Sequence, residues 1–65
     1  MNRYKVTRQD VNCGPMLELN VVTIEEAQHA YDIAVAADVQ FAEIFDMQED
    51  MQVSWHLAPM RLVRY

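Results

Sequence analysis

Residues 16–38 read MLELNVVTIEEAQHAYDIAVAAD, and the pattern of apolar residues changes within this stretch. In residues 16–22 apolar and polar residues alternate, which is the period of a β-strand with one wet face. At the junction, the Thr23 hydroxyl can accept from the Glu26 amide while the Glu26 carboxylate reaches back to the Thr23 amide, as in a capping box. The stretch therefore predicts a strand at 16–22, with Leu17, Leu19 and Val21 toward the core, followed by a helix that begins at Ile24.

The predicted helix covers residues 24–38, which contain neither Gly nor Pro and are rich in Ala. A stripe of small residues on one side lets a helix approach a sheet closely, and Tyr31 is then the one large side chain that anchors it. The opposite side of the helix is polar, so we expect it to face solvent. The apolar stripe is Ala27, Ala30, Tyr31, Ala34 and Ala37, and the polar side is Glu25, Gln28, His29 and Asp32.

Three further strands are expected around this unit, at about residues 4–9, 39–46 and 51–57. Turn-forming residues at 10–15 and a polar run at 47–50 predict that these strands belong to two hairpins. A right-handed crossover through the helix brings the third strand beside the first, in the order 2-1-3-4. The predicted fold is α+β, with the order ββαββ and one helix packed on one face of a four-stranded, mainly antiparallel sheet.

The composition indicates one small folded domain over residues 1–65. The chain has 52% apolar and 23% charged residues, with one Gly and two Pro, which is typical of a packed globular protein. Residues 60–65 are expected either to add a short fifth strand or to lie against the sheet. The sequence shows no signal peptide and no apolar run long enough to span a membrane, and Cys13 is its only cysteine. We therefore expect a cytoplasmic protein that does not enter membranes.

The charges are distributed unevenly along the chain. All ten acidic residues lie between Asp10 and Asp50 without a Lys or Arg among them, whereas the five basic residues lie near the two ends, for a net charge of −5. We expect the fold to bring the ends of the chain beside the acids. An acidic surface repels phosphate, so this distribution weighs against direct nucleic-acid binding and favours a partner with a basic surface.

The sequence does not indicate an enzyme. One Gly is too few for a phosphate-binding loop, and the single Glu26-x-x-His29 pair lacks the second pair and the extra carboxylates of a di-iron site. Nothing in the spacing places His29 or His56 beside Cys13 as a catalytic base, and the pattern does not assign a role to Cys13. We therefore predict no catalytic residues, no metal site and no cofactor.

Two alternative partner-binding surfaces follow from the pattern. The first is acidic and combines the exposed side of the helix with the turn after the third strand. The second is apolar and combines an outward-facing aromatic residue with flexible methionines, which are common at interfaces. The acidic residues are Glu25, Asp32, Asp46, Glu49 and Asp50, and the apolar residues are Phe45, Met47 and Met60.

The expected function is therefore a small protein-protein interaction module. In this interpretation its acidic surface binds a larger protein, as an inhibitor or modulator of one that handles nucleic acid or acts in defence. Small phage or mobile-element inhibitors are similar in size and acidity, which is an analogy of type only. The alternative is a homodimeric structural protein that associates through a sheet edge or through the Phe45 and methionine surface. A small enzyme or metal protein is the third possibility.

Overall fold

The structure is a computed structural model that describes residues 2–11 and 13–58. Its strands form one antiparallel sheet in the order β2-β1-β3-β4. The predicted fold class, element order and strand order are confirmed, whereas the predicted fifth strand at 60–65 lies outside the described residues. The elements are β1 (Tyr4–Gln9), β2 (Met16–Val21), α1 (Ile24–Ala36), β3 (Phe41–Asp46) and β4 (Met51–Leu57).

The helix begins as the sequence predicts, but its cap differs in one contact. Thr23 has extended backbone angles, and its Oγ1 accepts a hydrogen bond from the Glu26 amide at 3.2 Å. The Glu26 carboxylate accepts from the same Thr23 hydroxyl at 3.1 Å, where the capping box predicts a bond from the Thr23 amide. One hydroxyl therefore satisfies an amide of the first turn and holds the Glu26 side chain.

The helix ends at Ala36, two residues before the predicted end. Asp38 has a positive φ of 57°, and its amide donates to the Val35 carbonyl at 3.0 Å. The Val39 amide donates to the Ala34 carbonyl at 3.3 Å, and these two side chains pack in the same buried cluster. Together these contacts form a Schellman motif with Asp where Gly is usual. The sequence did not show this end because it has no Gly there.

The core lies between α1 and the two central strands. The helix packs mainly on β1 and β3 and only weakly on β2. Tyr31 contacts two groups of buried residues, which makes it the predicted anchor of the helix. The first group is Val6, Val21, Ala27 and Ile44, and the second is Ala34, Val39 and Ala42.

The prediction that Leu17 and Leu19 belong to the core is wrong. Both lie on the helix side of the sheet, because Leu19 is paired with Val6 of the core, yet each is 50% exposed. The reason is the position of α1, which lies over β1 and β3 and leaves this side of β2 uncovered. Only Val21, at the end of β2 next to the helix start, is buried.

Two apolar residues of β4, Trp55 and Leu57, lie on the side of the sheet away from the helix, whereas Met51 is paired with the buried Asp46 on the helix side. Trp55 is paired with Glu43, whereas Ser54 is paired with the buried Ile44, so the polar side chain is the one on the helix side. An irregularity in the register follows between Ile44 and Phe45, and the alternation of β4 changes phase there. The strand therefore does not have one continuous apolar face.

Candidate functional site

The outward side of β3 and β4 carries large apolar side chains that no described residue covers with a second layer. In β3 the burial alternates, so that residues 42, 44 and 46 are buried against the helix side while residues 41, 43 and 45 point the other way. Across the sheet, the outward residues of β4 are opposite those of β3. We call the resulting group the aromatic face: Phe41, Glu43, Phe45, Trp55 and Leu57.

Glu43 lies at the centre of the aromatic face. Phe41 and Phe45 flank it along β3, and Trp55 is directly opposite it on β4. Its carboxylate accepts a hydrogen bond from the Gln52 amide group at 2.6 Å. Trp55 is 60% exposed, so its ring remains accessible next to the carboxylate. A carboxylate framed by aromatic rings suits a guanidinium or ammonium group, which can pair with the charge and stack on a ring.

A cation of the protein itself already makes one such contact. The Lys5 amine lies 5.7 Å from the centre of the Phe45 ring. Phe45 is half-buried, which corrects the expectation that it is an exposed aromatic residue. The ring is therefore partly shielded by its neighbours on β1, and Trp55 is the more accessible aromatic residue of this face.

Sequence reasoning missed the aromatic face because it grouped Phe45 with Met47 and Met60, and the residues opposite Phe45 and Glu43 depend on the register of β3 with β4. The signal that could have found it lies in β3, where Phe41 and Phe45 alternate with Ala42 and Ile44. A strand that is apolar on both sides has two apolar faces to cover, and a single helix covers only one.

Asp46 is not part of an exposed acidic surface, which corrects that prediction. Its side chain is only 7% exposed and forms a two-bond ion pair with Arg3, at 2.9 and 3.2 Å. The same carboxylate accepts from the Gln48 and Glu49 amides at 3.0 and 3.2 Å and so holds the turn after β3. The hydrogen bonds from Arg3 lower the pKa of Asp46 below its ordinary value, and the turn amides lower it further.

The other predicted acidic residues are exposed. Because Tyr4 is paired with both Val21 and Asp46, the start of the helix and the β3–β4 turn lie at the same end of the sheet. We call this region the acidic end. Glu25, Glu49 and Asp50 belong to it, and Asp32 lies about two helical turns farther along α1.

The structure describes two of the three residues of the predicted apolar group, Phe45 and Met47. Met47 is 40% exposed and lines an open depression of about 460 Å³ with Asn2, Arg3 and Val22 at the acidic end. Phe45 belongs instead to the aromatic face. Met60 lies outside the described residues.

The basic residues near the start of the chain do meet acids, as expected from the charge pattern. Arg3 is paired with Asp46, and Arg8 is paired with Asp10 at 2.7 Å. Both described arginines are therefore engaged by carboxylates of the same chain. Among the described residues, the acidic end also presents the exposed carboxylates of Glu25, Glu49 and Asp50.

The described residues contain no cluster of three or more His, Cys, Asp or Glu side chains that could hold a metal ion. In the same part of the chain, no helix has the length and apolar character needed to cross a membrane. Comparison with protein-family models, with curated proteins and with solved structures finds no match for this chain.

Proposed function

We propose that the protein is a binding module that docks a basic segment of a larger protein on its aromatic face. The observation that carries this proposal is the Glu43 carboxylate, framed by Phe41, Phe45 and Trp55 on the side of the sheet away from the helix. Aromatic side chains supply much of the binding energy at interfaces, and an adjacent carboxylate gives specificity for a cation.

The net charge supports a basic partner. At −5 the protein attracts positively charged surfaces over a distance and repels phosphate. Glu25, Glu49 and Asp50 at the acidic end would then speed association, while the aromatic face makes the lasting contact. A protein with a basic groove for nucleic acid fits this description, and the module would inhibit or modulate it by occupying the groove. In this role the protein binds a partner and does not catalyse a reaction. We place this binding in the cytoplasm, where a single unpaired cysteine is usual.

The test uses a short arginine-rich peptide as the probe and Trp55 as the reporter. Trp55 is the only tryptophan of the chain, so its fluorescence reports directly on the aromatic face. We expect the peptide to change this fluorescence at saturable concentrations and to bind less tightly as salt is added.

A matched pair of variants separates the aromatic face from general attraction by charge. Glu43→Gln and Glu25→Gln each remove one negative charge, from the aromatic face and from the acidic end respectively. We expect Glu43→Gln to weaken peptide binding about tenfold and Glu25→Gln to weaken it less than about twofold. Equal effects of the two variants would show that the peptide responds only to net charge, and the proposed site would be wrong. A larger effect of Glu25→Gln would move the binding site to the acidic end.

A further inference from the structure

β2 forms one edge of the four-stranded sheet in the described part of the chain, and it lacks the usual protection of an edge. All six of its residues keep a regular register with β1, and the strand contains neither Lys nor Pro. Its apolar residues Met16, Leu17 and Leu19 are each at least 50% exposed. The opposite edge, β4, is interrupted by the register shift next to Phe45. Bulges, Lys and Pro are the features that normally prevent edge pairing, and β2 has none of them.

The backbone of β2 has free hydrogen-bonding groups at every second residue. The Val21 carbonyl accepts from the Arg3 amide at 3.0 Å, so Val21 faces β1. Because successive residues of a strand alternate, Leu19 and Leu17 also direct their backbone groups to β1. Met16, Glu18 and Asn20 consequently direct their N–H and C=O groups toward the free edge.

The side chains of this edge also lack cover. Leu17 and Leu19 line an open groove of about 210 Å³ beside the helix, together with Ile33, which is 52% exposed. This groove is on the helix side of the sheet. On the other side of the sheet, the edge presents Glu18 and Asn20.

We propose that β2 pairs with β2 of a second copy of this chain, antiparallel and about a two-fold axis at Leu19. In this register Glu18 of each copy lies opposite Asn20 of the other, and their free backbone groups hydrogen-bond across the edge. The Asn20 amide group can donate to the facing carboxylate. On the helix side, Leu19 meets Leu19 of the second copy and Leu17 meets Val21. The result is one continuous sheet of two copies.

The register centred on Leu19 is favoured over the two registers whose two-fold axis is shifted by one residue, which are centred on Glu18 and on Asn20. Shifting the axis to Glu18 preserves the backbone pattern but places two Glu18 carboxylates directly opposite each other, which is destabilising. Shifting it to Asn20 leaves Leu17 without a facing strand residue. The axis at Leu19 therefore gives both polar complementarity and the longest apolar overlap. This inference does not depend on the proposed function, because it is tested on the protein alone.

The first experiment measures mass against concentration by sedimentation equilibrium. We expect a concentration-dependent rise from 7.6 kDa toward twice that mass. Asn20→Asp places like charges opposite each other at both symmetric positions and should raise the dissociation constant about tenfold. Adding Glu18→Lys to that variant creates opposite charges and should restore dimerisation. A protein that remains a monomer at all concentrations, or a double variant that is not restored, would overturn the proposal.

The second experiment tests the edge itself. Glu18→Pro removes an amide that faces the free edge and leaves the β1–β2 ladder intact, so the monomer should fold and no longer self-associate. Val53→Lys is the matched control on β4, where Val53 is 43% exposed, and it should leave self-association unchanged. If Val53→Lys abolishes dimerisation and Glu18→Pro does not, the second copy binds at β4, and the assignment to β2 is wrong. The thermal melt of each variant shows that loss of the dimer is not loss of folding.

Discussion

The two sides of β3 show that size does not decide which side chains are buried. Toward the helix, β3 presents Ala42 and Ile44, which are completely buried. Away from the helix it presents Phe41 and Phe45, which are larger and only half-buried. The helix determines the difference, because it covers one side of β3 and leaves the other side without a second layer of described residues. The large aromatic residues therefore lie on the side of β3 that the helix does not cover.

We therefore expect the stability of the fold and the proposed peptide binding to depend on opposite sides of β3. Substitutions on the helix side should change the free energy of unfolding, and substitutions on the aromatic face should change binding with little effect on folding. Variants on each side of β3 therefore test this distinction.

The largest effect is expected for Ile44→Ala. Ile44 is completely buried in the first core cluster, so truncation should leave a cavity and reduce the free energy of unfolding by about 3 to 4 kcal/mol. That is a large part of the roughly 3 to 10 kcal/mol expected of a domain this small. Ile33→Ala is the control, because Ile33 is 52% exposed and should change stability by less than about 1 kcal/mol. Urea melts measure both, and equal losses would contradict the assigned helix orientation.

Tyr31→Ala should have the next largest effect. Tyr31 packs against both core clusters, and because it is only partly buried we expect a loss of about 2 to 3 kcal/mol. Tyr31→Phe keeps the ring in place and should cost less than about 1 kcal/mol. Denaturant unfolding of the two variants checks this. A similar loss in both would mean that the ring is not what anchors the helix.

Asp46→Asn should have an effect that depends on pH. Because the Arg3 hydrogen bonds lower the pKa of Asp46 in the folded state, this group stabilises the fold above its ordinary pKa of 3.8. That contribution is lost as the pH falls through the lower folded-state pKa. We therefore expect the variant to melt at a lower temperature at pH 7, with the difference shrinking in acid.

Melting temperatures between pH 2 and pH 7, measured by circular dichroism, test this prediction. Asp10→Asn is the matched control, because its pair with Arg8 is more exposed, with the Asp10 side chain 50% accessible. Its effect at pH 7 should be smaller. If the difference between Asp46→Asn and the parent protein instead grows in acid, the pKa of Asp46 is raised rather than lowered by folding.

The smallest effect on stability is expected for Trp55→Ser. The side chain is 60% exposed, so its loss should change the free energy of unfolding by less than about 1 kcal/mol. The same substitution should weaken binding of the arginine-rich peptide, which calorimetry can measure without tryptophan fluorescence. A variant that unfolds readily would show that the aromatic face belongs to the core, and the comparison between the two sides of β3 would fail.

Much of the fold could be predicted because local signals agreed with one another. The capping residue Thr23, the alanine stripe and the turn residues at 10–15 each indicated the same order of elements, and the crossover rule then gave the strand order. The helix end was missed because Asp38 adopts a positive φ that is usually left to Gly. The burial of Leu17 and Leu19 was overestimated because alternation identifies a side of a strand but not how much of it a single helix covers.

The surfaces were harder to predict than the fold. Asp46 looks like one more acid of an acidic run, and only the fold brings Arg3 from the far end of the sequence to bind it. Trp55 is one of several apolar residues that alternate along β4 in the sequence, and only the register with β3 shows that it lies beside Glu43. Both contacts escape a local pattern for the same reason, because the pattern does not show which distant segments pair.

The Arg3–Asp46 pair lies where the two hairpins join, so its position bears on the order in which the sheet assembles. The β1–β2 and β3–β4 pairings each join neighbouring segments through a short turn, whereas the β1–β3 pairing joins residues that are 32 to 42 positions apart in the sequence. We therefore expect the two hairpins to form first and to dock in the slow step. Arg3 and Asp46 lie at the end of this late junction. If their bond forms after the barrier, Asp46→Asn will speed unfolding and leave the folding rate nearly unchanged.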